Sequence, residues 1–136
     1  MGFAVEFDAT NEILRIAFEG QLTDAVAVAC SETVSKCVTS LPPCSSIVDL
    51  SQVTKYEVSP QAMRQFARAA PSSSPAARTL VIVAPKESAF GMSRMFQLLT
   101  ENTIPNQHVV RTMEEAYKLL HVKIPEFRPL SEAKTE

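Results

Sequence analysis

Five consecutive apolar residues, Leu80-Val81-Ile82-Val83-Ala84, stopped by Pro85, constrain this chain more than any other feature of it. A strand with no polar face must be covered on both sides, and the usual cover is a helix layer on each face of a parallel sheet. The flanking patterns agree with that requirement. Phe3, Val5 and Phe7 alternate with smaller or polar residues, residues 9–11 make a polar turn, and Leu14, Ile16 and Phe18 alternate again. This predicts a β-hairpin with one buried face, ended by Gly20. Thr23 and Asp24 then supply the cap and first-turn acid of a helix. Its apolar stripe is Val26, Cys30, Val34, Cys37, Val38 and Leu41, closed by Pro42-Pro43.

Ile47, Val48 and Leu50 predict a short buried strand interrupted by Asp49, with residues 51–59 as the loop beyond it. Ser59-Pro60 opens a second helix, serine as N-cap and proline at the first helical position, which buries Met63, Phe66, Ala67 and Ala70. After the loop Pro71-Ser72-Ser73-Ser74-Pro75 and the apolar strand, a third helix from Ser88 turns Met92, Met95, Phe96 and Leu99 inward. Phe90, Arg94, Gln97 and Glu101 are left on its opposite face, where Phe90 and Arg94 stand one turn apart as a surface cation–π pair or as an anchor and charge for a partner, unless Phe90 folds over the helix start and packs against the strand loops. Val109-Val110 predicts a last strand, and Thr112-Met113-Glu114-Glu115 is a capping box for a fourth helix with core face Met113, Ala116, Tyr117 and Leu120.

The resulting order is β-β-α-β-α-β-α-β-α, an α/β fold with a mixed sheet of about five strands and about four helices. A single domain over residues 1–121 is expected, followed by a polar, proline-bearing tail, 122–136, that is partly disordered. At 136 residues such a chain buries about two thirds of its unfolded surface and folds without staples.

Charge and motif content narrow the function. A net charge of −2 lacks the basic footprint of a nucleic-acid binder, although Arg64, Arg68, Arg78, Lys86, Arg94 and Arg111 gather between residues 58 and 111 against Glu87 and Glu101. Cys30, Cys37 and Cys44 are odd in number and have no CxxC spacing, so they read as core residues of a reduced compartment. With no signal-like N-terminus and no stretch near the ~18 apolar residues of a membrane span, a cytoplasmic protein without an integral membrane segment is expected. No GxSxG, GxxxxGK[ST], GxGxxG or HExxH is present, and three glycines leave little for a phosphate cradle. Accordingly no catalytic residue, cofactor or metal site is assigned. His108, in a strand, and His121, at a helix end, are read as structural.

In parallel sheets ligands sit beyond the carboxyl ends of the strands, here the segments 51–59 and 85–91. The first reads Asp49-Leu50-Ser51-Gln52-Val53-Thr54-Lys55-Tyr56-Glu57-Val58-Ser59. With the strand–helix order, this DLSxVxxxExS stretch resembles the STAS domain, the fold of SpoIIAA-like anti-sigma factor antagonists, whose typical stretch is DLSxVxxxDSSG. The resemblance implies that Ser59 matches the position that regulatory members phosphorylate and Glu57 the preceding aspartate; Val58 and Pro60 replace a serine and a glycine. Residues 78–85 and 90–97 look like a bacterial subgroup described as STAS/SEC14-like, and the likeness spans about residues 12–121. It implies a non-catalytic regulatory module with a protein partner, contacted through Tyr56, Glu57, Ser59, Phe90, Met92 and Arg94, with Ser59 as a switch. The alternative is a carrier of a small apolar ligand or lipid near Phe90, Met92 and Met95. Homodimerisation through the hairpin edge or the third helix is a further expectation.

Overall fold

The computed structural model describes residues 2–69, 79–102, 104 and 106–130. The side chains of Val38 and Ala67, residue Ala70, the loop 71–75 and Arg78 lie outside the described part. The elements are β1 (Phe3–Asp8), β2 (Ile13–Thr23), α1 (Asp24–Val38), β3 (Ser45–Glu57), α2 (Pro60–Ala69), β4 (Leu80–Val83), α3 (Glu87–Thr100), β5 (Gln107–Val110), α4 (Met113–Leu119) and β6 (Arg128–Pro129). The strands form one sheet in the order β5-β4-β3-β2-β1-β6. β2 through β5 run parallel, and β1 is antiparallel to both β2 and β6. The expected mixed α/β sheet with four helices is therefore present, with one strand more than expected.

Strand alternation sorts the interior into two cores. Leu14, Ile16, Val48, Leu50, Leu80 and Ile82 face one way and pack against α1, α2 and α3. Ile13, Ile47, Val81 and Val83 face the other way, against Ala116 of α4 and Val122. Both sets are buried, which is why β4 reads as an unbroken apolar run. On the first face a chain of rings, Phe3–Phe18–Phe66–Phe96, links hairpin to helices with centroids 6.4, 5.9 and 6.3 Å apart.

Local capping follows the sequence closely. Thr23 Oγ1 accepts the Val26 N–H at the start of α1, and Thr112 with Glu115 forms the full capping box of α4. The hairpin turn is held by Asp8, whose carboxylate accepts the Asn11 amide and side chain at 2.9 and 2.7 Å.

Three expectations are corrected. β2 does not end at Gly20: that residue takes φ +72°, open to glycine without strain, and the strand passes through two register shifts and continues to Thr23. The extended β2 gives residues 52–57 a partner, so the expected loop is the second half of β3, with Val53 buried. In α3 the inward residues are Ala89, Ser93, Phe96 and Thr100, while Met95 is 48% and Leu98 71% exposed. Small residues let this helix approach the sheet, and Thr100 is satisfied there by donating to Phe96 O and accepting from Gln107 Nε2. Of the expected tail, residues 122–130 are described and are tied to the domain. Val122 is buried, Glu126 N–H reaches Asp8 at 2.8 Å, and β6 pairs with β1. That pairing occupies the hairpin edge expected to be free for dimerisation.

Candidate functional site

The carboxyl end of β3 meets the start of α2 and the outer side of α3 in a shallow groove of about 720 Å³. Tyr56, Glu57 and Ser59 line it from one side, Met92 and Met95 from the other, and Met63 lies between. Four of the six residues singled out in the sequence are thus brought together. Tyr56 and Glu57 are held by pairing with Leu22 and Thr23 of β2, which makes them part of a rigid rim. Burial pushes the Tyr56 phenol above its usual range, so the rim keeps a neutral hydroxyl. Glu57 is ion-paired with Lys55 at 3.2 Å, both side chains more than half exposed.

Ser59 does what a helix cap does: its Oγ accepts the Ala62 N–H at 3.2 Å. Its own N–H donates to Asp24 Oδ1 at 2.6 Å, which joins the starts of α1 and α2 through one carboxylate. Bonding to Ser59 lowers the Asp24 pKa. The anion that a helix start attracts is already supplied here by a neighbouring element.

Phe90 and Arg94 do not line the groove. The Phe90 ring packs against the first core, the inward one of its expected readings, and lies under the Arg111 guanidinium, 4.0 Å from its centre, rather than beside Arg94. Arg111 also reaches Glu87 and Pro85 O, tying α3 to the end of β5. Sequence spacing within one helix could not show this partner, which arrives from another strand end. Met95 was placed inward by its spacing with Met92, Phe96 and Leu99, and Leu98 carried no assignment; both are exposed.

Beneath the groove, between the sheet and α2 and α3, is a cavity of about 60 Å³ with a wall that is apolar by area. Val58, Met63 and Met92 belong to both groove and cavity. Ligand pockets for larger molecules run to roughly 300–1,000 Å³. This one is far too small for a lipid.

On the opposite face, Arg15 bridges Glu6 at 2.5 Å and Asp49 at 2.6 Å, with Phe127 under its guanidinium at 5.9 Å. Burial opposes the Arg15 charge, but bonding to Glu6 and Asp49 outweighs it and raises the pKa. Asp49 is the residue that interrupts the apolar strand in the sequence, and this network accounts for it. Cys30, Cys37 and Cys44 are all buried, and burial with the neighbouring Cys37 pushes the Cys30 thiol far up. Among the described residues no group of three or more His, Cys, Asp or Glu is placed to hold a metal ion, and no helix is long and apolar enough to cross a membrane.

No protein-family model matches this chain, and no curated protein matches it in sequence. Solved structures do match. The anti-sigma factor antagonist SpoIIAA in its unphosphorylated form superposes with a TM-score of 0.59 at 13% identity, over 90% of this chain and 99% of that one. An uncharacterised protein of the DUF3478 family from Shewanella loihica PV-4, with a SpoIIAA-like fold, gives 0.56 at 12% identity, over 87% and 91%. The chain has the SpoIIAA-like (STAS) fold.

Proposed function

We propose that the chain is a non-catalytic, cytoplasmic regulatory module that binds a protein partner in the groove between the end of β3, α2 and α3. The observation that supports it most is the composition of that groove. A rigid strand rim carrying Tyr56 and Glu57 faces two methionines of α3, one of them 48% exposed, and Leu98 extends the apolar surface along the helix. Aromatic and methionine side chains beside polar neighbours are characteristic of protein interfaces. The fold is shared with an anti-sigma factor antagonist, so the partner proposed is an anti-sigma factor.

Ser59 is the proposed switch. A phosphate there would add about −2 of charge. It would stand against the Asp24 carboxylate that now holds the Ser59 amide, and would disturb both helix starts at the groove's rim. The reading is tested by calorimetric titration of the chain with each anti-sigma factor of its host. One should bind, and Met95→Glu should weaken it by tenfold or more; binding to none overturns the assignment. Incubation with the host's switch kinase, followed by intact-mass measurement, tests the switch. An unmodified Ser59 together with unchanged binding by Ser59→Asp removes it.

A further inference from the structure

The sheet has two edges, and the chain treats them differently. On the β1 side the tail closes the edge: Leu130 N–H donates to Val5 O at 2.7 Å, and β6 is two residues ending in Pro129, which has no N–H to offer a further strand. On the other side β5 is outermost, and Gln107-His108-Val109-Val110 carries no lysine, carboxylate, proline or bulge. Its backbone groups alternate in direction. Asn106 O and Val110 O accept from Leu80 and Ala84 at the β4 side, so Gln107 and Val109 turn their N–H and C=O groups outward. Gln97 Nε2 reaches Gln107 O at 3.2 Å, whereas Gln107 N–H and both groups of Val109 meet no partner among the described residues. Open strand groups of this kind are a template for another strand.

The strand that fits is a second copy of β5. Two such strands set antiparallel about a two-fold axis at His108 place Gln107 opposite the partner's Val109, and Val109 opposite the partner's Gln107. Both are hydrogen-bonded positions, so each copy's outward groups meet those of the other. A carbonyl accepts twice, so Gln97 keeps its bond. Centring the axis on Val109 instead would bring in Arg111, whose N–H is already held by Glu115. The flanking helix agrees with the axis at His108. α3 runs antiparallel to β5, and Gln97 ties its middle to Gln107. Phe90 and Gln97 turn toward β5 and its end, and the next stripe outward is Arg94, Leu98 and Glu101, at i, i+4 and i+7. Leu98 is 71% exposed, and neither Arg94 nor Glu101 is ion-paired among the described residues. A two-fold reverses α3, which brings Arg94 toward the partner's Glu101 and Glu101 toward the partner's Arg94, with Leu98 between. The stripe is charge-complementary to its own reverse. We propose that β5 and the Arg94–Leu98–Glu101 stripe form a homodimer interface in which two six-stranded sheets join edge to edge.

The test is sedimentation of the full chain from micromolar to millimolar concentration. The mass should move from monomer to dimer, and hydrogen exchange at the Val109 amide should slow over the same range. Val109→Pro removes an outward N–H without touching the β4 ladder and should weaken the dimer about tenfold. His108→Lys sets two cations across the axis, should weaken it similarly, and covers the case in which the proline variant folds poorly. Arg94→Glu should weaken it about threefold, and adding Glu101→Arg to that variant should restore it, because the pairs re-form with signs exchanged. A chain that stays monomeric throughout overturns the interface, and so does a dimer unmoved by Val109→Pro and His108→Lys. A charge reversal without recovery overturns the two-fold placement of α3. Met92 and Met95, on the α2 side of the helix, stay uncovered, so none of these outcomes depends on whether the groove holds a protein partner.

Discussion

The two faces of the sheet solve the same problem differently. The first is covered by three helices, and its strand residues are mostly apolar, with Ser46 buried among them and a small cavity left between the sheet, α2 and α3. The second has the seven-residue α4 over β4 and its neighbours, and beyond it the β1–β2–β3 surface is closed by the Arg15–Glu6–Asp49 network with Phe127 laid across it. A helix layer uses one residue in three or four as cover and makes a thick dry core. A thin cover of charge and tail works only if each charge keeps a partner, because a partly buried ion left alone costs more than its pairing returns. The helical face is therefore the one sensitive to lost volume, and the charged face is the one sensitive to the loss of a single partner.

That contrast can be broken by mutation. Leu14, fully buried on the helical face, should cost about 2–5 kcal/mol on Leu14→Ala, read from the denaturant midpoint. On the charged face Asp49→Ala should cost about 1–3 kcal/mol, since Arg15 keeps Glu6 and some solvent. Adding Arg15→Met and Glu6→Leu to that variant should recover most of the loss, which a cavity-forming change such as Leu14→Ala cannot do. Additive losses in the triple variant would mean that packing, not pairing, closes that face. A smaller effect, about 1 kcal/mol, is expected for Ser59→Ala, which removes the α2 cap without touching either core.

The mildest test is acid. Burial works against the Asp8 carboxylate, but bonds from Asn11, Glu126 and Thr10 outweigh it and lower the pKa below the ordinary 3.8. Its contribution is present above the unfolded value and is lost as the pH falls through the lower folded value. Hydrogen exchange at the amides of Glu126 and Leu130, which bond to Asp8 and Val5, should therefore accelerate relative to Val48 below about pH 3.8. Uniform acceleration across both faces would show that the tail is not a separate closing element.

Much of this was legible along the chain. The apolar run at 80–84, the Thr23 and Thr112 caps and the Ser59-Pro60 helix start are local signals, settled by hydrogen bonds within a few residues. The groove was half legible: Tyr56, Glu57, Ser59 and Met92 come together along it, whereas Phe90 and Arg94 stand outside its lining and Met95 is turned outward. The misses share a cause. The second half of β3 exists because β2 passes through Gly20 to meet it, α3 is rotated by the fit of Ala89 and Ser93 against the sheet, and Phe127 and β6 are held by Arg15, Asp8 and β1. Local order in the sequence determined which segments are strands and helices and where most begin. Register, helix rotation and the docking of the tail depend on contacts between residues far apart in the chain, whose energies no local pattern carries, and only the tertiary structure decided them.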